Sequence, residues 1–77
     1  MREAVEKIVK ALVDEPDRVE IDENADGKTV RIGVKVAEGD MGRIIGREGR
    51  TVKAIRSILF VAGQKNGKRY QLDLVED

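Results

Sequence analysis

The chain has no cysteine, no histidine and no tryptophan, a single proline, and only two aromatic residues, Phe60 and Tyr70. Without cysteine there is no disulfide framework, no thiolate metal site and no thiol nucleophile. Without histidine, the one serine, Ser57, lacks the usual base, and no lysine is placed to activate it. No metal-ligand spacing occurs, and the carboxylates are scattered, so catalysis, a resident metal, a cofactor and a small-molecule substrate all lack a sequence basis. No apolar run approaches the roughly 18 residues of a membrane span, and no signal-peptide core opens the chain, so no membrane association is expected and the expected location is cytoplasmic. With so few aromatics the core must be aliphatic, and stacking of bases on aromatic platforms is largely unavailable.

What is present suffices for folding. Leu, Ile, Val and Phe make up 22 of 77 residues, above the roughly 20% below which a highly charged chain stays disordered. The length fits one domain, residues 1–77, with a single small core. Formal net charge is zero, but its distribution is uneven. Residues 1–40 hold 7 basic and 11 acidic side chains, residues 41–69 hold 8 basic and 1 acidic, and residues 70–77 hold 3 acidic. The middle segment alone could attract a polyanion; an ordinary solvated helix face would carry similar charge.

Residues 2–13 place Ala4, Val5, Ile8, Val9 and Leu12 at helical spacing, and this helix must stop before Pro16. Val19 and Ile21 begin an alternating strand, ENADG supplies a turn, and KTVRIGVKV alternates Val30, Ile32, Val34 and Val36 against polar positions, predicting a β-hairpin. Gly33, on the polar face, marks a bulge, a close approach or simply weaker packing. Asp40 is a candidate N-cap for a short helix through Met41, Arg43, Ile44 and Ile45. A second helix follows Gly49, with Val52, Ile55, Leu59 and Ala62 on one face, and ends at Gly63. Asn66-Gly67 reads as a turn, and RYQLDLV as a closing strand. The predicted order is α-β-β-α-α-β: an α+β fold with a three-stranded sheet and helices packed on one face.

Within this pattern Gly46-Arg47-Glu48-Gly49 interrupts helical periodicity. Each interior glycine costs a helix about 1 kcal/mol relative to alanine, so two in four positions imply a need for bare backbone. The spacings of Gly42, Gly46 and Gly49 match neither the dinucleotide-binding fingerprint nor the P-loop. A plain helix-turn-helix remains possible. A glycine-bounded loop between helices also lets a nucleic-acid backbone approach, with the following helix's amides toward phosphate. Arg43, Arg47, Arg50 and Lys53 supply positive charge there.

Ile45-Gly46-Arg47-Glu48-Gly49-Arg50-Thr51-Val52 resembles the (V/I)IGxxGxx(I/V) signature of the KH domain, whose GXXG loop clamps the backbone of about four nucleotides. The opening helix and closing strand are similar to the type II order, and the short stand-alone chain resembles the bacterial KhpA family. The resemblance implies a single type II KH domain that binds single-stranded RNA. In that role Gly46 and Gly49 shape the loop, and the Arg47 and Glu48 backbones face phosphate. Arg43, Arg50 and Lys53 contact further phosphates, and Ile45, with Ile44, Ile32 and Val34, lines an aliphatic base groove. It further implies an RNA chaperone that forms a homodimer or pairs with a KhpB protein, linked to cell-wall homeostasis and cell shape. Glu48 places a carboxylate inside the loop, which opposes phosphate unless it points away. A KH-fold module for protein interaction, with RNA secondary, is the alternative. AIRSILFVAG is richer in apolar residues than one core-facing stripe needs, consistent with a dimer surface or with burial on two sides.

Overall fold

The computed structural model describes residues 1–76, so the acidic charge of Asp77 lies outside the described residues. Helix α1 (Arg2–Leu12) turns Val5 and Val9, one helical turn apart, into the core. It ends before Pro16, which opens a 3-10 turn (Pro16–Arg18) at a position where its missing N–H costs nothing. Strands β1 (Glu20–Asp26) and β2 (Thr29–Val36) pair antiparallel, with Asp26 opposite Thr29. The predicted five-residue turn is therefore only Gly27-Lys28, because Glu23–Asp26 continue the ladder along the partner strand.

After β2 the chain enters α2 (Met41–Ile45), the glycine loop and α3 (Arg50–Asn66), then closes with β3 (Arg69–Glu76). Strand β3 pairs parallel with β2, so the sheet order is β1-β2-β3. Parallel neighbours need a long crossover; here α2 and α3 supply it, and the glycine loop lies inside that crossover.

Register puts Ile21, Val34 and Leu74 in one row and Ile32 with Leu72 in another, giving the sheet one apolar face. The helices cover that face: Ile32, Ile44 and Leu59 are fully buried against each other's elements, with Val52 and Ile55 from α3 joining them. Burial of side chains this size contributes about 1.5–3 kcal/mol each. The opposite face is polar apart from exposed Val75, and there Glu20 pairs with Lys35 at 3.7 Å. Gly33 forms no bulge, since its register with Asp22 and Asp73 is continuous; a Cβ there would collide with the Asp22 carboxylate.

Two expectations require correction. Helix α3 does not end at Gly63 but continues to Asn66, and Gly67 takes the left-handed conformation (φ 67°, ψ 31°) that closes it. Gly63 is instead buried inside the helix, where a Cβ would strike the Lys68 carbonyl oxygen. Asp40 makes no side-chain cap on α2. Its buried carboxylate accepts hydrogen bonds from the amides of Asp14 (3.2 Å) and Glu15 (3.1 Å), tying the end of the α1 segment to the start of α2.

Candidate nucleic-acid interface

The loop geometry explains both glycines, for different reasons. Gly46 closes α2, its amide donating to the Gly42 carbonyl at 2.8 Å, and adopts φ 74°, ψ 175°. That region is essentially closed to residues with a side chain. A Cβ on Gly46 would also lie 2.7 Å from Thr51 Cβ and 2.8 Å from the Thr51 amide nitrogen. Gly49 adopts φ 76°, ψ 14° immediately before α3, but the space beside it is open, with only Lys53 Cε at 3.9 Å from a Cβ position. One glycine is needed for space and conformation, the other for conformation alone.

Between them Arg47–Gly49 form a single 3-10 turn in which Glu48 is left-handed (φ 56°, ψ 26°), the only residue other than glycine with positive φ among those described. Such a backbone costs about 1–2 kcal/mol, and strain of this kind gathers at functional loops. The Glu48 side chain is 78% exposed and lies 3.9 Å from Arg50. Its carboxylate is thus directed toward a cation rather than lying alone beside the loop backbone.

The predicted site residues are not equivalent. Arg47, Arg50 and Lys53 are all exposed at the loop and along the first turn of α3. Among the described residues, no carboxylate lies within ion-pair distance of Arg47 or Lys53. Arg43 stands apart: its guanidinium lies 2.8 Å from Asp14 and 3.7 Å from Asp40, so its charge is already engaged by the α1 connection. Of the aliphatic groove candidates, Ile44, Ile32 and Val34 are core residues with essentially no exposed surface, and only Ile45 is exposed. The first amides of α3 add partial positive charge at the loop, as at any helix N-terminus.

The glycine-bounded turn is thus exposed, accompanied by cations and set between two helices of an α-β-β-α-α-β chain. The profile described as "KhpA/KhpB, KH domain" matches residues 2–74. The chain belongs to this KH-domain family. RNA-binding protein KhpA of Halalkalibacterium halodurans is 43% identical over 76 residues, covering 99% of this chain and 100% of that protein. RNA-binding protein KhpA of Listeria monocytogenes is 40% identical over 76 residues, with the same coverage. RNA-binding protein KhpA of Chlamydia trachomatis is 40% identical over 77 residues, covering 100% of this chain and 99% of that protein. Similarity to these relatives therefore runs nearly end to end. No helix is long and apolar enough to cross a membrane, and no cluster of three metal-ligating side chains occurs among the described residues.

Two features escaped sequence reasoning. Asp14 holds the Arg43 guanidinium and donates its amide to Asp40 26 residues along the chain, pairings that no local pattern encodes. The only two aromatics, Phe60 and Tyr70, line one cleft between α3 and β3. A signal for the first half of that cleft was available: Arg56 and Phe60 follow Lys53 at helical spacing on one stripe.

Proposed function

We propose that this chain binds single-stranded RNA by clamping its backbone against Gly46-Arg47-Glu48-Gly49, acting as an RNA chaperone in the cytoplasm and not as an enzyme. The observation that carries the reading is the exposed, left-handed turn of this loop, with open space beside Gly49 and exposed cations in the loop and along the start of α3. Membership in the KH family and the names of the relatives support it. Backbone amides and Arg47 hold phosphate, Arg50 and Lys53 add charge, and Ile45 offers an apolar surface to a base. Arg43, already paired with Asp14, contributes by fixing α2 more than by direct contact.

The test replaces Arg47 and Glu48 with Asp while keeping both glycines. Asp tolerates the left-handed conformation at position 48, so circular dichroism and melting should stay close to the parent. RNA affinity should fall strongly, because two carboxylates then stand in the loop with the Arg47 charge removed. Unchanged affinity would overturn the clamp.

A second reading, self-association, is favoured by the outer face of α3. Ile58 is 52% exposed and Val61 57%, and with Ser57, Ala62 and Lys65 they form an apolar surface that neither the sheet nor α1 covers. We propose that this face pairs with a second copy or with a KhpB-like protein, in the cell-wall and cell-shape setting that the resemblance implies. Sedimentation should show a dimer that Ile58→Asp dissociates; monomer alone at high concentration would count against pairing of the chain with itself.

A further inference from the structure

We propose that RNA passing the glycine loop continues along α3 into a second contact, a cleft where a nucleobase stacks against Phe60 and Tyr70. This rests on the loop reading above and extends it. The cleft measures about 480 Å³ and opens between α3 and the edge strand β3. Phe60 is 64% exposed and presents its ring at the α3 wall of the cleft. Tyr70 is half-buried on the opposite wall, with Asn66 Nδ2 donating to its hydroxyl at 3.4 Å. Leu59 adds apolar floor, and Arg56, Lys68 and Arg69 line the same opening against one carboxylate, Asp73. An aromatic surface beside clustered cations is what a single-stranded polyanion with planar bases needs: stacking for the bases and charge for the backbone.

Position ties the cleft to the loop. Lys53, Arg56, Phe60 and Gln64 succeed one another at helical spacing, and Lys53 reaches back to within 3.9 Å of a Cβ position at Gly49. Gly49 and Phe60 are separated by about 16 Å of helix at 1.5 Å per residue. The loop engages about four nucleotides, so the cleft requires a longer strand. The apolar face of α3 at Ile58 and Val61 uses other residues and is a separate surface.

The experiment compares fluorescein-labelled oligouridines of four and twelve nucleotides by fluorescence anisotropy. Phe60→Leu, which keeps an apolar side chain at an exposed position, should weaken binding of the 12-mer by about five- to a hundredfold and leave the 4-mer unchanged within about twofold. The chain has one tyrosine and no tryptophan, so its intrinsic emission reports on Tyr70 alone. The unlabelled 12-mer should quench that emission more than the 4-mer at equal nucleotide concentration. Equal losses on both lengths, no loss on either, or a 12-mer bound no more tightly than the 4-mer would overturn the cleft while leaving the loop standing. A change in sedimentation with Phe60→Leu but none in RNA affinity would overturn it by assigning the cleft to a protein partner. Failure of the loop itself is read separately, from the Arg47 and Glu48 double replacement on the 4-mer.

Discussion

Replacing each loop glycine by alanine should give unequal losses. At Gly46 the backbone (φ 74°, ψ 175°) lies in a region that a Cβ effectively forbids, at a cost of up to about 3 kcal/mol. The new methyl also meets Thr51 Cβ at 2.7 Å and its amide at 2.8 Å, contacts that backbone cannot yield cheaply. At Gly49 the conformation (φ 76°, ψ 14°) is left-handed helical, costing about 1–2 kcal/mol, and the space is open. Loss of glycine's freedom in the unfolded chain returns about 0.4–1 kcal/mol in both variants. The net expectation is about 1 kcal/mol for Gly49→Ala and about 3 kcal/mol for Gly46→Ala. A domain this size holds about 4–12 kcal/mol in total and shifts Tm by about 4–8 °C per kcal/mol. Thermal unfolding followed by circular dichroism should therefore show Gly46→Ala falling by about 12 °C or more and Gly49→Ala by less than 10 °C. Equal shifts, or a larger loss at Gly49, would refute the assignment of crowding to Gly46 alone.

Gly63→Ala should destabilise by about 1–3 kcal/mol in urea unfolding, although alanine is the better helix former, because its methyl must displace the Lys68 carbonyl; a gain in stability would contradict the close approach. Asp40→Ala should cost about 1–3 kcal/mol and speed hydrogen exchange at the amides of Asp14 and Glu15, whereas Asp40→Asn, which keeps an acceptor oxygen, should cost less. RNA affinity should fall with salt at a log-log slope of about −2 if Arg47, Arg50 and Lys53 each hold a phosphate, and a flat response would exclude the loop's cations from the interface.

Much of the fold was legible because local rules carried it. Helical spacing of Val5 and Val9, alternation from Val30 to Val36, and proline's exclusion from helix interiors each act over a few residues and need no knowledge of distant neighbours. The loop was legible for the same reason, since paired glycines in a helical pattern announce a backbone that side chains cannot adopt. The misreadings fell where a local signal had two meanings. Gly63 fits a helix end because glycine often serves there, yet its role is to admit the Lys68 backbone; the terminator is Gly67, which the Asn66-Gly67 pattern marks only as part of a turn. Asp40 looked like a cap for the helix beside it and instead serves a segment 25 residues away.

Sequence alone therefore determined the element order, the aliphatic core, the basic middle segment and the glycine-bounded loop, because each follows from spacing, composition or backbone sterics within one stretch of chain. Tertiary structure decided which charges remain available. The sequence sets Asp40 three residues before Arg43, but only folding brings Asp14 to within 2.8 Å of that guanidinium, and it brings no described carboxylate within ion-pair distance of Lys53. It also decided that Phe60 and Tyr70, ten residues apart on a helix and a strand, share one cleft, because β3 returns antiparallel to α3's course to pair with β2. Contacts between distant segments depend on how the sheet and helices close on one another, and that closure is a property of the whole chain.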